Sequence, residues 1–184
     1  MPSLEDRVER LEAESQIRQL IARYCFAVDD RNIEAIAALF LPDAALRSVD
    51  RSLNDVGVDA IINGFHRRFA VLGPGQHFMH DIQIDFVGDG KVEATGRVSG
   101  HAELSRKGDM VLLGIRYEDE YRKTQVGWKF ANRTAGFLYQ VPADQYAKVL
   151  TSPLRNYASG KASPADYPER LESWIAYEKA HGQA

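Results

Sequence analysis

Apolar residues recur at three- and four-residue steps through the first part of the chain: Leu4, Val8, Leu11, Ile17, Leu20, Ile21, Tyr24 and Val28. That spacing predicts one long amphipathic helix. Its first half is highly charged, so it is expected to be exposed or to pack on a partner subunit. Asn32 is placed to cap a second helix, Ile33 to Phe40, ended by Leu41-Pro42-Asp43. A short strand over residues 44–49, a polar loop over 50–55 and a third helix over 57–70 follow, the last stopped by Gly73-Pro74-Gly75. From residue 77 the period changes to two. Strands are expected over 77–87, 91–105 and 126–141, with turns at Gly88-Asp89-Gly90 and Lys107-Gly108-Asp109. The clearest alternation sets Val111, Leu113, Ile115, Tyr117 and Tyr121 against Arg116, Glu118, Glu120 and Arg122. Helices followed by a meander of long strands give an α+β pattern. After Pro142 the composition changes, with helical stretches at Gln145–Leu150 and Pro168–His181 joined by a Ser-, Gly- and Pro-rich loop. The expected division is therefore a domain over 1–141 and a partly helical C-terminal extension over 142–184.

Bulk properties narrow the classes of function. A chain of 184 residues, 45% hydrophobic and 27% charged, suits one globular domain with appended segments. The net charge of -3, with no basic cluster, speaks against nucleic acid as a partner. Cys25 is the only cysteine, which excludes an intramolecular disulfide and a thiolate metal cage. The polar N-terminus and the lack of a long apolar stretch leave neither a signal peptide nor a membrane span to expect, and the cytoplasm is the default. No phosphate loop, nucleophile elbow or metal-spaced cluster is present, so neither a cofactor nor a metal is expected.

The candidate chemistry lies at three places. Asp29 and Asp30 end the first helix, at the negative pole of its dipole, an arrangement costing roughly 0.3–1 kcal/mol each when exposed. Either they are solvated beside Arg31, or one points inward and needs a compensating cation, because the run Tyr24 to Val28 is largely apolar. His77 and His80 open the first long strand. Strict alternation puts His80 on the face of Ile82, Ile84 and Phe86 and His77 on the other, so periodicity alone does not choose His77. A neutral imidazole beside a carboxylate would be a competent general base. Around Arg133 the large apolar positions switch from even (Trp128, Phe130) to odd (Phe137, Tyr139), which implies a bulge near Asn132-Arg133. His101 and Arg97 read as solvated, and His66, which stands beside Arg67 and Arg68, as a surface residue.

Over residues 5–141 the sequence resembles the SnoaL-like branch of the nuclear-transport-factor-like superfamily. The resemblance is carried by Ile17 to Arg31, by Gln76-His77-Phe78, and by Asp119-Glu120-Tyr121 through Gly127-Trp128-Lys129-Phe130 to Arg133. It looks most like the group of scytalone dehydratase, bile-acid 7α-dehydratase and γ-hexachlorocyclohexane dehydrochlorinase, cofactor-free lyases with an Asp–His pair in a barrel pocket. The resemblance implies a cone-shaped curved antiparallel sheet packed against N-terminal helices. It also implies His77 and Asp29 as catalytic residues, with Tyr24 and Arg133 binding a small hydrophobic, cyclic substrate. The chain departs from that pattern at Val98 and Ala102, where the dehydratases carry a further histidine and a further acid. For His77 to face the pocket, its strand must bend or bulge between His77 and Ile82. The reading is a dehydratase- or dehydrohalogenase-type lyase. A polyketide cyclase or isomerase would use the same residues; a non-catalytic module, such as the small subunit of ring-hydroxylating dioxygenases, would leave Asp29 and His77 apart or the cavity filled. An open curved sheet also needs a cover, so a homo-oligomer, trimer or dimer, is expected.

Overall fold

The computed structural model describes residues 3–88 and 91–182. Helix α1 (Leu4–Asp29) starts at a capping box, in which the Asp6 N–H donates to the Ser3 hydroxyl while the Ser3 N–H donates to the Asp6 carboxylate. Its second half buries Ile17, Leu20, Ile21 and Tyr24, whereas Leu4, Val8 and Leu11 stay exposed. Helix α2 (Ile33–Leu39) is capped by Asn32, whose side chain accepts from the Ala35 N–H at 2.9 Å. Strand β1 (Phe40–Ser48) follows at once, starting four residues earlier than the pattern suggested. The stretch read as a polar loop holds a short strand, β2 (Asn54–Val56), which pairs antiparallel with β1 and turns Asp55 inward.

Helix α3 (Val58–Phe69) then leads into four long strands: β3 (Leu72–Phe86), β4 (Glu93–Arg106), β5 (Asp109–Thr124) and β6 (Gly127–Pro142). The order across the sheet is β2-β1-β6-β5-β4-β3. The expected meander is antiparallel throughout, but β1 joins the edge of β6 in parallel, so the curved sheet is mixed. The turn expected at Gly88-Asp89-Gly90 includes Asp89 and Gly90, which lie outside the described residues. Gly73-Pro74-Gly75 does not stop α3; it lies inside β3. Proline is tolerated there because β3 pairs only with β4 and has no ladder partner on its other side. A side chain at Gly75 would put its Cβ 2.7 Å from that of Leu104, too close for the strands to pair.

The core lies between the helices and the inner sheet face and includes Ile17, Ile21, Phe40, Val98 and Phe130. Beyond β6 the chain passes through a 3-10 segment (Ala143–Thr151), two short strands β7 (Leu154–Asn156) and β8 (Ser163–Pro164), and an exposed helix α4 (Glu172–His181). Arg155 ties this stretch down, donating to the carbonyls of Leu138, Ser152 and Tyr167 and to the Glu169 carboxylate. No helix of the described residues is long and apolar enough to cross a membrane.

Candidate active site

Two local features bring Asp29 and His77 together. The last turn of α1 carries no basic residue, so the Asp29 carboxylate must find its donors elsewhere. It finds both in one residue of β3. The His77 backbone N–H donates to Oδ2 at 2.9 Å, and its ring Nδ1 lies 2.6 Å from Oδ1. On β3, the register against β4 shifts between Met79 and Ile82, inserting one extra residue. This is the bulge that the strand needed. It lets His77 share the inner side with Ile82, Ile84 and Phe86, and it sends His80 outward, against strict alternation. There the His80 Nε2 meets the His101 Nδ1 at 2.7 Å, in an exposed stacked pair.

His77 forms part of the wall of a cavity of about 480 Å³ bounded by α1, α3 and the inner sheet face. Tyr24 lines the same cavity, as do Tyr117, Phe65 and Phe137. Burial raises the phenol pKa of Tyr24, against the pull of Arg133 and Arg68, so the group is a neutral donor. Val98 and Ala102 are fully buried and apolar, so neither adds an acid or a base to the site.

Arg133 is placed differently from the expectation of a substrate-contacting group. It is fully buried and is not among the residues lining the cavity. Its Nε and Nη2 donate to Asp119 at 2.8 and 2.7 Å, and Asp119 also accepts from the Tyr121 hydroxyl at 2.8 Å. The guanidinium lies 4.2–4.3 Å from the ring centres of Tyr24, Tyr117 and Phe130. Burial works against its charge, and the Asp119 carboxylate more than reverses that, holding it protonated above its ordinary range. Arg133 therefore supports the cavity wall through the tyrosines. The bulge expected beside it is present: Glu120 faces Asn132 while Tyr121 faces Phe130, leaving Ala131 unpaired.

The model of the SnoaL-like domain matches residues 9–134 of the chain. The protein belongs to the SnoaL-like domain family. Among solved structures, this SnoaL-like chain is similar to a protein named for scytalone dehydratase from Novosphingobium aromaticivorans, with 21% identity, a TM-score of 0.71, and 89% of this chain and 99% of that one covered. It is similar to a hexachlorocyclohexane dehydrochlorinase, with 17% identity, a TM-score of 0.69, and 74% and 92% covered. A protein from Novosphingobium aromaticivorans named for an aromatic ring hydroxylase is 27% identical, with a TM-score of 0.67, and 75% and 98% covered. No curated protein matches the chain. The first two likenesses are a statement about the fold.

Pattern reasoning missed one cluster in this SnoaL-like cavity. Arg68, named only as a neighbour of His66, lines the cavity, as do Asp55 and Arg67. Arg67 donates to Asp55 Oδ1 at 2.9 Å, and the Arg68 Nη1 lies 3.5 Å from Oδ2. The signal was available: Arg68 follows Ile61 by seven residues and Phe65 by three, which puts it on the apolar stripe of α3. His66 is exposed, as expected, and so is Arg97, paired with Glu118 at 2.8 Å. Burial pushes the Cys25 thiol up to about 11, so it is not a nucleophile at neutral pH. Among the described residues no cluster of three or more His, Cys, Asp or Glu could hold a metal ion.

Proposed function

We propose that the protein is a cofactor-independent lyase of the dehydratase or dehydrohalogenase type, acting on a small, hydrophobic, cyclic substrate. The observation that carries this reading is the 2.6 Å contact between Asp29 and the His77 Nδ1, made at the wall of a cavity of about 480 Å³. With Nδ1–H donated to the carboxylate, Nε2 is the ring nitrogen left to act as a base. Asp29 fixes that tautomer and stabilises the imidazolium that forms when Nε2 takes a proton from carbon. Tyr24, neutral at working pH, donates a hydrogen bond to the departing hydroxyl or halide or to the oxygen that gains charge. A positioned base supplies about 10²- to 10⁴-fold, and orientation within the cavity supplies more.

The contact and the open cavity argue against a non-catalytic assembly module, for which the pair would be apart or the space filled. A cyclase or isomerase would use the same groups, and product mass separates it from a lyase. The experiment is a screen of small cyclic alcohols and halides with product mass as the readout. Loss of water or hydrogen halide supports elimination, whereas unchanged mass points to cyclisation or isomerisation. Full turnover by His77→Ala would remove His77 from the chemistry.

A further inference from the structure

On the α3 side of the cavity two guanidinium groups face one carboxylate. Arg67 takes Asp55 Oδ1 at 2.9 Å, and Arg68 is held more loosely, 3.5 Å from Oδ2. That wall therefore carries a surplus positive charge. Arg68 is fixed by packing, with its guanidinium carbon 4.2 Å above the ring centre of Phe65. Its Nη2 is buried and has no hydrogen-bond partner. A buried donor left unmade is costly, and a cationic one more so. Removal from water pushes the Arg68 pKa down, against the pull of the Asp55 carboxylate. Tyr24, Arg68 and His77 line the same space.

We propose that Arg68 is the oxyanion anchor of this cavity, and that the substrate is an apolar cyclic compound whose carbonyl oxygen binds the Arg68 guanidinium, beside the carbon that His77 deprotonates. The substrate class rests on the lyase reading; the anion-binding role of Arg68 does not. When Nε2 takes the proton from the α-carbon, the C–H electron pair moves toward the carbonyl. The oxygen becomes an enolate oxygen next to the guanidinium. The enolate then collapses: C=O re-forms, a C=C bond forms to the β-carbon, and the β C–O or C–halogen bond breaks, its pair leaving with hydroxide or halide. The proton on Nε2 passes to the hydroxide, giving water, or, where halide leaves, to solvent water. A bidentate-capable, permanently charged donor suits a carboxylate or enolate oxygen better than a neutral hydroxyl.

The test is isothermal titration calorimetry at neutral pH and low salt with 1-naphthoate and 1-naphthalenemethanol, an anion and its neutral counterpart. The wild-type protein is expected to bind the carboxylate about tenfold more tightly or better. Arg68→Met is expected to erase that preference without weakening the alcohol, and Arg68→Lys to keep part of it. If Arg68→Met does not fold by circular dichroism, Arg68→Gln is read in its place. Equal wild-type affinities, no binding of the naphthoate, or a preference that survives loss of Arg68, with Arg67 or Arg106, which also line the cavity, holding the anion, would overturn the assignment. His77→Gln should keep the preference, so failure of the anchor and failure of the base are read separately.

Discussion

Asp29 with His77 and Asp119 with Arg133 are both acid–base pairs closed to under 3 Å, and they differ in what is left over. The first pair sits at the cavity wall, with side chains 17% and 14% exposed, and one ring nitrogen has no partner in the pair. The second is 0% exposed on both sides; its carboxylate accepts two guanidinium bonds and a tyrosine hydroxyl, while the Arg133 Nη1 is buried without a hydrogen-bond partner. Three aromatic rings close over the guanidinium. A pair with spare valence beside a void can move a proton. A pair sealed away from the void can only hold its surroundings in place, and here it holds Tyr24 and Tyr117, which form part of the cavity wall.

The contrast predicts opposite phenotypes. His77→Ala should lower turnover on an identified substrate by about 10²- to 10⁴-fold, with Asp29→Asn close behind, while the midpoint of thermal unfolding moves by no more than a few degrees. Assay and calorimetry on the same preparations check both halves. Arg133→Met should do the reverse. It strands the Asp119 charge in a dry site, at a cost of about 3–5 kcal/mol of folding free energy, and activity falls only as the fold loosens. Replacing both partners, Arg133→Met with Asp119→Leu, should restore part of that loss, as removing a whole buried pair does elsewhere. An Arg133→Met protein as stable as wild type would erase the distinction between the two pairs.

A smaller effect is expected where cavity and wall meet. Asp55 reaches Arg67 and Arg68 across Gly64, and a Cβ at that glycine would overlap the Asp55 carboxylate. Gly64→Ala should displace the carboxylate and cost roughly 1–3 kcal/mol by denaturant unfolding, as overpacking does. It should also tighten naphthoate binding, because Arg68 loses its counter-charge. Unchanged stability would mean that Asp55 has room to move aside.

The two pairs were unequally legible in the sequence. The helix stripe through Tyr24, the charge at Asp29 with nothing basic in its turn, and the alternation of β5 all follow from local periodicity. The parity switch near Arg133 correctly marked a bulge. What local pattern could not supply was the partner. Thr124 faces Gly127 at the turn, and that register would set Asp119 opposite Asn132; the extra residue at Ala131 moves Arg133 there instead. A bulge also reversed the apparent sides of His77 and His80, which is why alternation favoured the wrong histidine for the inner face and the family resemblance chose the other. Arg68 was passed over because attention fell on the neighbouring His66, although the position of Arg68 on the apolar stripe pointed inward. β2 is only three residues long, too short to show alternation, and the parallel docking of β1 on β6 is long-range and leaves no periodic trace.

Asp166 sharpens the comparison at its weak end, being buried like Asp119 but bonded to a backbone group alone. It is 6% exposed, and its carboxylate accepts from the Phe137 N–H at 2.8 Å, joining the C-terminal stretch to β6. Burial raises its pKa, more than the Phe137 N–H lowers it, and the Asp50 carboxylate adds to the rise. The folded state thus keeps this proton to a higher pH than the unfolded chain does. The stability linked to it is fully present below the unfolded value, about 3.9, and is lost as pH rises through the folded value. Glu169 in the same stretch is shifted the other way by its hydrogen bonds to Arg155, so its contribution is present above the unfolded value and lost as pH falls. Asp166→Asn keeps an oxygen for the Phe137 N–H and removes the charge. Its unfolding midpoint should match that of wild type near pH 3 and exceed it by about 1–3 °C at pH 7. A midpoint lowered at pH 7 would mean that the ionised carboxylate, and not the protonated one, is the form that holds the C-terminal stretch to the sheet.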